Sequence, residues 1–116
     1  MPRSPLAYLT DIVGCCDALA VTLDGVDLPA YEATRTIRSA VERELTIIGE
    51  AIRVLTRRDP ALAARISQAR LIVGFRNRLV HEYPQIDDEA VYSIAERDTP
   101  VLRAACARCR GRCSGS

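Results

Sequence analysis

The sequence predicts an all-α fold, an up-and-down bundle of four to five helices. Three observations carry this. Apolar residues recur at three- and four-residue spacing along nearly the whole chain. No segment alternates with a period of two for long enough to make a strand. Proline and turn residues fall between the periodic segments and leave only short connections, which suit antiparallel neighbours. At 116 residues the chain is one domain, large enough to bury a core without metals or disulfides. The expected division is a helical domain over residues 1–105, followed by a flexible Cys/Arg-rich tail over 106–116.

The first helix starts in "SPLAYLTDIVGCCDALAVTL", with Ser4 as N-cap and Pro5 at the first helical position, where a missing N–H costs nothing. Leu6, Leu9, Val13, Cys16 and Ala20 are its expected apolar stripe. "DGVDLP" is turn chemistry and ends it. A second periodic stretch runs from about Tyr31 to Arg57, with Ile37, Val41, Leu45, Ile48, Ile52 and Leu55 on one face. Arg38, Glu42 and Arg53 fall away from that face. "RRDPA" stops this helix, and Asp59-Pro60 starts another by the same cap-then-proline logic, with a break near Ser67. "QARLIVGFRNRLVHEY" is the fourth element, ended by Pro84, which lacks an N–H and disfavours helical geometry at Tyr83. The last helix is capped by Asp87, carries acidic residues in its first turn, and is expected to kink at Pro100.

Composition narrows function. Charges are interspersed and the net charge is +1, so any nucleic-acid contact must be a local patch. All the basic residues except His81 are arginine. No apolar run is read as reaching the length of a membrane span, because Asp11 and Asp17 interrupt the first segment. A cytoplasmic protein without membrane association is expected. Five cysteines form two groups, Cys15–Cys16 and Cys106, Cys109 and Cys113. An odd count argues against a closed disulfide framework, and the terminal CxxC has no histidine near it in sequence to complete a zinc site. Neither a metal nor another cofactor is expected.

"RNRLVHEY" (Arg76–Tyr83) is the segment that an ordinary amphipathic helix does not need. It holds two arginines, an asparagine, a tyrosine and the single histidine of the chain. On a helix Arg76 and Tyr83 share one line, Asn77 and His81 share a second, and Arg76 and His81 differ by about 140° in direction. Polar surface on both flanks suits a cleft, and a two-fold dimer through residues 72–83 would supply it. The planar forks of Arg76 and Arg78 suit phosphate oxygens, His81 can move a proton near neutral pH, and Asn77 can orient imidazole or substrate. No carboxylate set for magnesium accompanies them. Such a site fits RNA cleavage, in which the 2′-hydroxyl attacks its own phosphodiester. The plainer alternative is a surface or capping histidine, with Arg76 and Arg78 paired to Glu42, Glu44 or Glu82.

The spacing R-x4-H-x-Y, read as Arg76, His81 and Tyr83 within "GFRNRLVHEYPQID", resembles the signature of the HepT-like toxins of the HEPN superfamily. "AVERELTIIGEAI" (Ala40–Ile52) and "YLTDI" near the start are similar to two further blocks of that family, and the resemblance covers roughly Leu6 to Leu102. It implies a helical homodimer formed through the motif helix, with a composite, metal-independent endoribonuclease site. Arg76 and His81 stand at the catalytic positions, with Asn77 and Arg78 binding phosphate or orienting. It also implies a type VII-like toxin–antitoxin system, in which a minimal nucleotidyltransferase antitoxin transfers AMP to the motif tyrosine, here Tyr83. The sequence departs from the family pattern at Pro84, where an aromatic is common, and in the tail after Cys106. The alternative within the same fold is a non-catalytic dimer that binds a nucleotide or nucleic acid.

Overall fold

The computed structural model describes residues 3–66, 72, 74 and 87–115. Six α-helices lie in these: α1 (Pro5–Leu23), α2 (Leu28–Ala33), α3 (Arg35–Arg58), α4 (Pro60–Ala63), α5 (Asp88–Ser93) and α6 (Thr99–Gly115). A five-residue π-helical turn, Ile94–Asp98, joins α5 to α6. No strand occurs among the described residues, and the fold is all-α as expected.

α1 is the centre of the bundle, packed between α3 on one side and α6 on the other. Its start follows the sequence: Pro5 opens the helix and the Ser4 hydroxyl accepts from the Ala7 N–H at 3.3 Å. Leu9, Ile12, Val13, Cys16 and Leu19 are buried. Each fully buried leucine or isoleucine contributes about 1.5–3 kcal/mol. The expected stripe is therefore rotated near its end, where Leu19 takes the core position and Ala20 is exposed. A helix covered by two neighbours needs a broader apolar surface than one edge of a heptad. By length and composition alone α1 would pass for a membrane span, contrary to the sequence reading. Its carboxylates are instead held on the outside of the bundle, Asp11 by Arg3 and Asp17 by Arg103, each at 2.6 Å.

The turn after α1 uses Gly25, whose φ of 71° only glycine adopts without strain. Asp27 then caps α2 by accepting from the Ala30 N–H at 2.9 Å. The stretch read as one helix from Tyr31 is thus two. Thr34 is extended, with φ −114° and ψ 97°, and its hydroxyl donates back to the Ala30 carbonyl at 2.7 Å. That bond closes α2 and leaves α3 to start at Arg35. Along α3, Val41, Leu45, Ile48, Ile52 and Leu55 form the buried stripe, whereas Ile37 is only half-buried. Asp59 ends α3 and caps α4, accepting from the Leu62 N–H at 3.1 Å with Pro60 at the first position. α4 lasts one turn, so the chain leaves helical geometry before Ser67, which lies outside the described residues. Ile66 and Ile72 are both buried in the core.

Asp87 opens α5 as expected, with Asp88 and Glu89 in the first turn. Pro100 does not kink a continuous α-helix; the π turn immediately before it takes up the irregularity. In that turn the Thr99 N–H donates to Ile94, five residues back. The same register would pair the Ala95 carbonyl with Pro100, which has no hydrogen to give. The buried Thr99 hydroxyl donates to Ala95 instead, at 2.5 Å.

The tail requires a correction. Residue 105 is not a boundary, because α6 continues to Gly115, and Cys106 and Cys109 are buried against the core. The three-residue spacing of the CxxC, for which no zinc was expected, is here one helical face meeting α1. Cys15, Cys16, Cys106 and Cys109 are free thiols. Burial above all pushes Cys16 and Cys106 up to about 12, which keeps both protonated and unreactive.

Candidate functional site

The residues singled out for chemistry, Arg76, Asn77, Arg78, His81 and Tyr83, lie outside the described residues, as does the segment proposed for dimer contact apart from Ile72 and Gly74. The structure does describe what stands on either side of them. The chain enters at Ile66, 3 % exposed, passes through Ile72, 1 % exposed, and returns at Asp87. Burial of each of these two isoleucines contributes about 1.5–3 kcal/mol.

Where the chain returns, α2, α3 and α5 bring together a polar cluster. Arg38 on α3 reaches Asp88 in the first turn of α5 at 3.8 Å, and donates to the Glu32 carbonyl at the end of α2. Glu42 lies one helical turn beyond Arg38 on the same face. Burial first, and then the charge of Asp88, push the Glu42 carboxyl above the usual carboxylate range, against the pull of Arg38. Beneath them the rings of Tyr31 and Tyr92 stack at 5.5 Å with their planes 13° apart. Tyr92 donates its hydroxyl to the Val26 carbonyl at 2.6 Å. The Tyr31 hydroxyl is buried and has no hydrogen-bond partner among the described residues. Burial, followed by the charges of Glu42 and Asp88, raises that phenol as well.

This cluster clamps the start of α5 to α2 and α3. The sequence placed Arg38 and Glu42 off the apolar stripe, and offered Glu42 as one candidate partner for Arg76 and Arg78. Their four-residue spacing was visible, but Asp88 lies fifty positions from Arg38, and no local pattern links the two. Among the described residues no group of histidine, cysteine and carboxylate side chains is arranged to hold a metal ion.

This all-helical bundle is the frame into which the sequence comparisons fit. The family model described as "Ribonuclease HepT-like" matches residues 12–109, and the chain belongs to that family. The match runs from the middle of α1 into α6 and encloses the whole motif. "Putative RNase MJ1380" of Methanocaldococcus jannaschii is 30 % identical over 101 residues, covering 87 % of this chain and 92 % of that protein. "Putative RNase TTE0752" of Caldanaerobacter subterraneus is 25 % identical over 100 residues, covering 86 % and 88 % respectively. No solved structure matches the chain.

Proposed function

We propose that this protein is the toxin of a toxin–antitoxin pair, acting in the cytoplasm as a homodimeric endoribonuclease that needs no metal. The observation that carries the reading is the family match over residues 12–109, which encloses Arg76, His81 and Tyr83 at R-x4-H-x-Y spacing. In this reaction the 2′-oxygen of RNA bonds to the adjacent phosphorus and the 5′-oxygen leaves, so the products are a cyclic phosphate and a 5′-hydroxyl. His81 carries the proton between these oxygens, and Arg76 offsets the charge that gathers on the phosphoryl oxygens. Asn77 and Arg78 orient the imidazole and the phosphate. DNA has no 2′-hydroxyl and is not a substrate. A minimal nucleotidyltransferase antitoxin silences the toxin by transferring AMP from ATP to Tyr83.

The test is cleavage of RNA in EDTA by the wild type, Arg76→Ala and His81→Ala. Each substitution should lower the rate by about 10²-fold or more, the usual scale for losing a proton-transfer group or a charge-stabilising donor. Activity that survives both substitutions, or that requires magnesium, overturns the mechanism. RNA binding without cleavage by the wild type assigns the protein to the non-catalytic alternative.

A further inference from the structure

The bundle is electrically polar along its length. All fifteen Asp and Glu side chains lie within residues 1–98, against twelve arginines; the remaining stretch, α6, adds four arginines and no acid. The direction of α6 decides where these go. Arg103 meets Asp17 at 2.6 Å, and Cys106 lies beside Cys16, so α6 runs antiparallel to α1. α3 is antiparallel to α1 too, since Cys15 neighbours Glu44 while the Arg58 guanidinium stands 5.9 Å over the Tyr8 ring. The N-terminus of α1 and the C-termini of α3 and α6 therefore share one end. Arg57 and Arg58 close α3 there, and Arg3 lies 4.9 Å over the same tyrosine ring. The opposite end carries Asp24, Asp27, Glu32, Asp87, Asp88 and Glu89, on or beside α2 and the start of α5.

Arginines in the last turn of a helix offset its dipole, and Arg57 and Arg58 do that for α3. Arg108 and Arg112 go further. They are four residues apart, on one side of α6 and about 6 Å apart along its axis. Both are exposed, and neither has a carboxylate partner among the described residues. The same end holds Arg57, with Arg3 and Arg58 over Tyr8, and two carboxylates already engaged: Asp11 by Arg3, and Asp59 as the cap of α4. The large apolar side chains exposed among the described residues are Val21, Ile47 and Val101, none of which lies at this end. The apolar anchor that amphipathic membrane helices and the cores of protein interfaces use is thus absent from this end among the described residues. The backbone of RNA needs only planar cationic forks.

We infer that this arginine end of the bundle, centred on Arg108 and Arg112 of α6, is a docking surface for the RNA backbone, separate from the R-x4-H motif. The choice of RNA as occupant rests on the ribonuclease reading above. It is tested with a fluorescent 2′-O-methyl RNA of about 20 nucleotides, which cannot be cut, so binding is read whether or not the protein is a nuclease. Arg108→Glu/Arg112→Glu should bind at least about tenfold more weakly. Its plot of log affinity against log salt should be shallower by about 1.4, about 0.7 for each single-strand phosphate that the protein no longer neutralises. Arg57→Ala/Arg58→Ala should weaken binding in the same direction. Arg35→Glu/Arg43→Glu, with the same change in net charge away from this end, should bind within about twofold of wild type. Circular dichroism checks that each variant is folded. Equal loss in the Arg35/Arg43 control, unchanged binding by Arg108→Glu/Arg112→Glu, or displacement of the RNA by poly-glutamate at equal charge would each overturn the inference. A wild type that cuts no RNA but binds it through these arginines refutes the nuclease reading and leaves this surface standing.

Discussion

Tyr31 and Tyr92 stack face to face at 5.5 Å, yet only one has a partner for its hydroxyl: Tyr92 donates to Val26 at 2.6 Å, and Tyr31 is buried without one among the described residues. The two phenols should therefore respond oppositely to the same substitution. Tyr92→Phe strands the Val26 carbonyl and should cost about 1 kcal/mol, the net worth of an ordinary hydrogen bond. Tyr31→Phe removes a desolvated hydroxyl and should be neutral or stabilising. Urea unfolding of the two variants checks this, and a larger loss for Tyr31→Phe would mean that its hydroxyl is bonded after all.

Thr99 stands in for the backbone donor that Pro100 lacks. Thr99→Val leaves the buried Ala95 carbonyl unpaired and should destabilise the fold by about 1–3 kcal/mol, whereas Thr99→Ser should stay close to wild type. In a Pro100→Ala background an N–H is restored, so the cost of Thr99→Val should shrink. A double-mutant cycle in urea measures that coupling, and simple additivity would refute it.

Glu42 gives the stability a defined pH dependence. Its carboxyl is raised by burial and by Asp88, against Arg38, with the raised Tyr31 phenol also facing it. A carboxyl whose folded value exceeds its unfolded one contributes stability below the unfolded value, near 4.5, and loses it as pH rises through the folded value. At neutral pH its charge is thus unfavourable. Glu42→Gln should melt higher than wild type at pH 7, and the gap should close toward pH 4. A gap that is constant with pH would show that the charge is not the cause.

The proposed function makes Tyr83 the point at which the toxin is controlled. Incubation with a cognate minimal nucleotidyltransferase and ATP-Mg should add mass in whole AMP units, with pyrophosphate released. Each adduct brings a phosphodiester charge that Arg76 or Arg78 can bind, in competition with RNA. Tyr83→Phe should accept no AMP and remain toxic beside the antitoxin. Neutralisation of Tyr83→Phe as complete as that of wild type would place control in complex formation instead.

Local signals in the sequence determined the helical class, the caps at Ser4, Asp59 and Asp87, and most of the buried stripe of α3, because a cap or a helical face is written within a few residues. The motif Arg76–Tyr83 was legible for the same reason: its members lie within two turns. Tertiary structure decided the rest. Thr34 broke an apparently continuous helix because its hydroxyl found Ala30, and Leu19 displaced Ala20 because α1 is covered on two sides. The sequence from Cys106 onward looked like a loose basic tail, since its charges are local and its burial is not. Only the antiparallel packing of α6 on α1 put Cys106 and Cys109 in the core and carried Arg108 and Arg112 to the end where Arg57 and Arg58 finish α3. Contacts between residues 17 and 103, or 38 and 88, depend on how whole helices pack, and short-range spacing does not encode that.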